Sequence, residues 1–157
     1  MVKVKICGLT NQADYNLACQ LGADYAGFVF YRKSLRFIEP ELARKLVRQA
    51  KYQAIKVGVF VNEQASIIRE IYDYVGLDIV QLQGDEEPDF CRQLGLPYWK
   101  AIRAKDTSDV EKLKKFPGDI FLLDSFSGVA YGGTGKQLAR SLLREALKTG
   151  KKIVVAG

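Results

Sequence analysis

Residues 2–30 read VKVKICGLTNQADYNLACQLGADYAGFVF, and the changes of period within them set the expectation for the fold. From Val2 to Gly8, alternation puts Val4 and Ile6 on one face and Lys3, Lys5 and Cys7 on the other, as in a strand. In residues 12–22 the spacing becomes helical, with Ala13, Leu17, Ala18 and Leu21 on one stripe and Gly22 as the stop. A β-rich run, YAGFVF, follows from Tyr25. Strand, helix and strand in so short a span form a βαβ unit.

The same alternation continues to the end of the chain. Further strand-like runs begin at Lys56 (KVGVFV), Ile79 (IVQLQG), Tyr98 (YWKAIR), Ile120 (IFLLDS) and Lys152 (KIVVAG). Helix-like segments lie between them, from PELARKLVRQAKY to KQLARSLLREALKTG. In the first of these, Pro40 suits the opening turn of a helix, with Leu42, Leu46 and Val47 as its apolar stripe. Strands and helices alternating at this spacing predict parallel β-structure with right-handed crossovers. No linker or low-complexity stretch interrupts the series, so residues 1–157 read as one domain.

An open doubly wound sheet and a closed (β/α)8 barrel both fit that order. Polar residues inside the strand runs, namely Lys3, Lys5, Gln81, Gln83 and Lys100, favour the barrel, whose lumen accepts them near its active end. A sheet sandwiched between helix layers reads as nearly continuous Val, Ile and Leu. The expected class is therefore α/β, a TIM (β/α)8 barrel to which this chain supplies about seven strands and six helices.

Composition narrows the chemistry. The 157 residues are 48% hydrophobic, enough for a sizeable single core. Apolar runs fall short of a membrane span, and a strand begins at the N-terminus where a targeting segment would lie. Cys7, Cys19 and Cys91 are odd in number and form no CxxC, which argues against a disulfide framework or zinc site and for a reducing cytoplasm. The chain has no histidine, so acid–base chemistry falls to Cys, Asp, Glu, Lys or Tyr. A net charge of +6 suits either a solvated basic surface, which its spread through the helical stretches favours, or an anionic partner such as a phosphate ester. No basic run is interleaved with stacking aromatics, so nucleic acid is not an expected partner.

In both architectures the chemistry gathers at the carboxyl ends of the strands. Those ends carry Cys7, Tyr31 to Arg36, Asn62, Gln83 to Glu86, Arg103 and Asp124. Asp124 closes the buried run IFLLD, where a carboxylate requires compensation. After it, Gly132, Gly133 and Gly135 precede Lys136 and a helix, a pattern suited to an anion. Ala130 stands where a Walker A loop needs glycine.

Six collinear stretches now carry a resemblance: VKICGLT, GADYAGFVFYRKSLRFIEPELA, VGVFVN, VQLQGDEE, LLDS with YGGTGK, and the final VVAG. In order and spacing the chain resembles the phosphoribosylanthranilate isomerase family of tryptophan biosynthesis. The resemblance implies a cofactor-independent, metal-free Amadori rearrangement of a phosphorylated small molecule by a cytoplasmic monomer or homodimer. It implies that Cys7 is the general base and Asp124 the general acid. Lys5, Arg36, Gln81, Gly132, Gly133 and Gly157 match its substrate-binding positions, with Arg36 on the anthranilate carboxylate and the glycine pair in a loop near the phosphate. Lys5, two residues from Cys7 on one strand face, is also expected to lower the thiol's pKa. Gln83 departs from the family's usual QLHG; glutamine exchanges hydrogen bonds but does not titrate.

Two other readings stay open at this point. Another sugar-phosphate-binding barrel enzyme would usually use carboxylate pairs or metal-bound histidines, which suits a histidine-free chain poorly. A non-catalytic barrel fragment serving as an assembly unit is the other. Seven strands against the eight of a closed barrel lead to the expectation of a fragment lacking about 40–50 residues, with open edges and weak phosphate binding.

Overall fold

The computed structural model describes residues 2–125 and 139–156. The chain divides into two compact units, Met1–Gln81 and Leu82–Gly157. Gly132, Gly133, Gly135, Lys136 and Gly157 lie outside the described residues.

In the first unit the order is β1 (Lys5–Cys7), α1 (Gln12–Gln20), β2 (Tyr25–Val29), α2 (Pro40–Arg48), β3 (Ile55–Phe60) and α3 (Ala65–Val75). β4 (Ile79–Leu82) follows and crosses the unit boundary. β1 pairs with β2 in parallel, Cys7 opposite Gly27, and β2 pairs with β3 in parallel, Val29 opposite Val59. One device recurs where a helix returns to the sheet. Gly22 and Gly76 leave α1 and α3 with φ of 86° and 76°, a conformation glycine adopts without steric cost. Two residues on, Asp24 Oδ2 accepts the Val4 N–H at 2.8 Å and Asp78 Oδ2 accepts the Lys56 N–H at 2.7 Å. Each aspartate also donates its own N–H to the same residue's carbonyl, at 2.9 Å in both cases. The Gly-x-Asp pattern thereby sets where each new strand starts beside the preceding one.

The second unit runs α4 (Pro88–Leu94), β5 (Tyr98–Ala104), α5 (Thr107–Glu111), a 3-10 turn (Lys112–Lys115), β6 (Ile120–Ser125), α6 (Arg140–Lys148) and β7 (Lys152–Val155). β5 and β6 pair in parallel, with Arg103 opposite Asp124, and β6 pairs with β7 in parallel. Seven strands alternating with six α-helices, among the described residues, match the expected order.

Two helix faces differ from the spacing-based expectation. On α1 the buried residues are Tyr15, Ala18 and Cys19, whereas Ala13, Leu17 and Leu21 are exposed. The Tyr15 ring stacks on Phe28 of β2 at 5.6 Å between centroids, and that contact turns the helix. On α2, Ala43 and Leu46 face inward and Leu42 is exposed, while Pro40 occupies the first turn as expected.

β3 contains a glycine that packing requires. A Cβ at Gly58 would collide with the Leu77 side chain and stand 2.9 Å from Phe60 Cε2, beside the stacked Phe30 and Phe60 rings. Gly58→Ala should therefore cost about 1–3 kcal/mol, as overpacking does. Urea denaturation reads this as a lowered midpoint at unchanged m; an unshifted midpoint would show that the pocket yields freely.

Candidate active site

β1 is short, and its alternation points Val4 and Ile6 outward, 49% and 41% exposed. Lys5 and Cys7 therefore share the opposite face, half-buried. Lys5 Nζ donates to Cys7 Sγ at 3.3 Å and to Gln81 Oε1 in a short hydrogen bond. Gln81 is itself buried on β4. Burial pushes the Lys5 ammonium below the usual lysine range, the Cys7 contact opposes this, and the nearby Arg36 charge adds a smaller downward push.

Arg36 approaches the same residues from the loop after β2. Its Nη1 donates to the Cys7 carbonyl at 3.3 Å, and its backbone N–H donates to Ser34 Oγ at 3.1 Å. Gly8 makes this approach feasible: its φ is 83°, and a Cβ there would stand 2.5 Å from Arg36 Cδ. The first unit thus brings together four of the expected site residues: Lys5, Cys7, Arg36 and Gln81.

Gly27, a residue not singled out above, makes room for this cluster. It pairs with Cys7 across β1 and β2, and an added Cβ would stand 2.8 Å from Cys7 Sγ and 3.0 Å from Lys5 Cε. Its carbonyl also accepts the N–H groups of Gly8 and Leu9 at 2.9 and 3.0 Å, which fixes the turn after Cys7. The sequence signal was available: a glycine inside the apolar run YAGFVF marks close approach of another group.

The other two thiols are placed differently. Cys19 and Cys91 are buried, and burial raises both, Cys91 to about 11. Such thiols are poor nucleophiles and poor bases near neutrality. Cys7 is the least buried of the three.

In the second unit Asp124, next to last in β6, is 5% exposed, and Gln83 Nε2 donates to its Oδ2 at 3.0 Å. Gln83 thus supplies a fixed amide dipole to the Asp124 side chain. Nearby strand-end residues form ion pairs: Arg103 Nη2 with Asp85 Oδ1 at 2.5 Å, and Lys100 with Glu86. The expected positions Gly132, Gly133 and Gly157 lie outside the described residues. Among the described residues, no helix is long and apolar enough to cross a membrane.

Comparison with known proteins places these residues in a family. A family model described as N-(5'phosphoribosyl)anthranilate (PRA) isomerase matches residues 4–157. An N-(5'-phosphoribosyl)anthranilate isomerase of Syntrophus aciditrophicus is 43% identical over 136 residues, covering 86% of this chain and 59% of the relative. The chain therefore spans less than two thirds of that relative's length. The crystal structure of phosphoribosyl anthranilate isomerase from Thermotoga maritima superimposes with a TM-score of 0.89 at 37% identity, covering all of this chain and 77% of that one. A solved phosphoribosyl anthranilate isomerase in complex with reduced 1-(o-carboxyphenylamino)-1-deoxyribulose 5-phosphate matches with a TM-score of 0.76 at 34% identity, covering 99% and 87%. The fold class is α/β, that of the TIM barrel. With the family model matched from residue 4 to residue 157, the chain belongs to the N-(5'-phosphoribosyl)anthranilate isomerase family, a family of isomerases.

Proposed function

We propose that this chain carries the acid–base residues of a cytoplasmic, cofactor-independent enzyme of tryptophan biosynthesis. Its reaction is the Amadori rearrangement of N-(5'-phosphoribosyl)anthranilate to 1-(2-carboxyphenylamino)-1-deoxyribulose 5-phosphate. The observation that carries this reading is the family match along residues 4–157, which includes both Cys7 and Asp124.

In this mechanism Asp124 delivers a proton to the ribose ring oxygen while the anthranilate nitrogen pushes electrons into C1. The ring opens to an iminium, which acidifies the C2 hydrogen. Cys7, as thiolate, removes that hydrogen, and the resulting enolamine tautomerises to the ketone. The substrate's nitrogen serves as the electron sink. The buried surroundings of Asp124 and the amide of Gln83 hold the carboxyl group in one orientation. Lys5 and Gly27 hold Sγ in position, and Gln81 anchors Lys5. Arg36, exposed beside the Cys7 carbonyl, offers a planar guanidinium to the anthranilate carboxylate. In this reading Gly132, Gly133 and Gly157 complete the substrate contacts, with the Gly132–Gly133 pair near the phosphate.

Cys7→Ala and Asp124→Asn should each lower kcat by about 10²–10⁴-fold, the usual contribution of positioned proton transfer. The assay follows the loss of anthranilate fluorescence, and a variant that keeps more than about a tenth of parental kcat removes that residue from its role. Arg36→Ala should chiefly raise KM, since a contact made equally in ground and transition states leaves kcat alone; an unchanged KM takes Arg36 out of the site.

Lys5 yields a prediction in pH. Its folded-state pKa lies below its unfolded value, so the charged form is the disfavoured one. The cost of burying that charge is fully present below the folded pKa. It disappears as pH rises towards the unfolded value of about 10.4. The stability difference between the parent and Lys5→Met should therefore move in the parent's favour between pH 7 and 10. Urea midpoints measured across that range check the sign, and a difference moving the other way contradicts it.

A further inference from the structure

We propose that Lys100 and Glu86 form a buried charged clamp that positions Gln83 and, through it, Asp124. The inference rests on the reading of Asp124 as the general acid. Both clamp side chains are 2% exposed and meet at 2.9 Å. The mechanism above uses neither of them.

The hydrogen bonds of the pair show what it holds. Lys100 Nζ also lies within hydrogen-bond distance of the carbonyls of Gly84 at 2.7 Å, Ala101 at 3.0 Å and Leu82 at 3.3 Å; its three N–H groups serve four acceptors, so the long Leu82 contact shares a donor. Glu86 Oε1 accepts the Gly84 N–H at 3.2 Å. The carbonyls of Leu82 and Gly84 bracket Gln83, so one ammonium fixes the backbone on both sides of it. Gln83 Nε2 then reaches Asp124 Oδ2 at 3.0 Å. The path from ammonium to carboxylate is continuous: Lys100, the two carbonyls, the Gln83 amide, Asp124.

A buried ion pair is an expensive way to fill space, because apolar residues of similar volume often stabilise a fold as well or better. Apolar residues have no group to hold two backbone carbonyls. The pair therefore does what packing alone does not: it sets the direction of the Gln83 side chain. Misplacement of an acid by about 1 Å costs up to about 100-fold in rate, so the clamp is a positioning device, and Lys100 and Glu86 are positioning residues.

The test separates positioning from stability. In the full-length protein, the double variant Lys100→Met with Glu86→Leu removes both charges together and leaves no buried charge unpaired. Loss of the bonds to the Leu82, Gly84 and Ala101 backbone should lower its urea midpoint, and kcat measured on the folded protein below that midpoint should fall about 10- to 100-fold with KM little changed. In a Gln83→Ala background the same double change should add little further loss, because the pathway is already cut. Parental kcat in the double variant, or losses that multiply independently of Gln83→Ala, would overturn the proposal. If the double variant does not fold, Lys100→Arg carries the test. It keeps the charge but places a broader planar head among the carbonyls, and it should lose at least about tenfold in kcat with the same non-additivity; parental kcat there overturns the proposal. Asp124→Asn is run alongside. If it retains parental kcat, the reading of Asp124 itself fails. If it is inactive while the clamp variants are fully active, only the clamp fails.

Discussion

A polar side chain that points inward from a strand must find its hydrogen-bond partner among neighbouring strands and turns, and the rest of this structure is arranged around that requirement. Lys5, Gln81, Gln83, Lys100 and Asp124 all sit on or immediately after strands where burial would otherwise be costly. Each is satisfied locally. In the first unit Lys5 lies between Cys7 Sγ and Gln81 Oε1. In the second, Lys100 meets Glu86 and backbone carbonyls, and Gln83 meets Asp124. Low local dielectric strengthens these bonds and penalises their loss, so the side chains are held in defined orientations.

Those orientations also depend on residues with little side chain. Gly27 leaves the volume that Cys7 Sγ and Lys5 Cε occupy, and Gly8 leaves the volume that Arg36 crosses. The two glycines act by absence. The Gly-x-Asp returns after α1 and α3 act differently, through backbone direction and a carboxylate that caps the next strand start. Strand register therefore follows from turn chemistry, and register decides which alternate residues face inward. A slip of one residue in β1 would exchange Lys5 and Cys7 for Val4 and Ile6.

Thiol placement follows the same logic. Three cysteines are available, and burial raises the pKa of Cys19 and of Cys91, the latter to about 11. Cys7 stands instead at a strand end beside an ammonium. The surroundings of each thiol are what distinguish the three.

Much was legible in the sequence alone. Changes of period along residues 2–30 and their repetition gave the strand and helix order, because side-chain alternation is a local consequence of backbone geometry. Six collinear stretches gave the family, and the strand ends marked Cys7 and Asp124 as candidates for its chemistry. Helix orientation was less legible: Leu17 and Leu21 suggested one face of α1, but the stack of Tyr15 on Phe28 selected another. Spacing marks which residues share a face, whereas the partner that covers a face comes from elsewhere in the chain. The same holds for the site. Lys100 read as a polar residue in a strand, and Gln83 as a departure of unknown effect. Only the tertiary structure joined Lys100 to Glu86 and Gln83 to Asp124, because hydrogen bonds between residues 14 and 41 positions apart depend on strand pairing and turn geometry that no local pattern encodes.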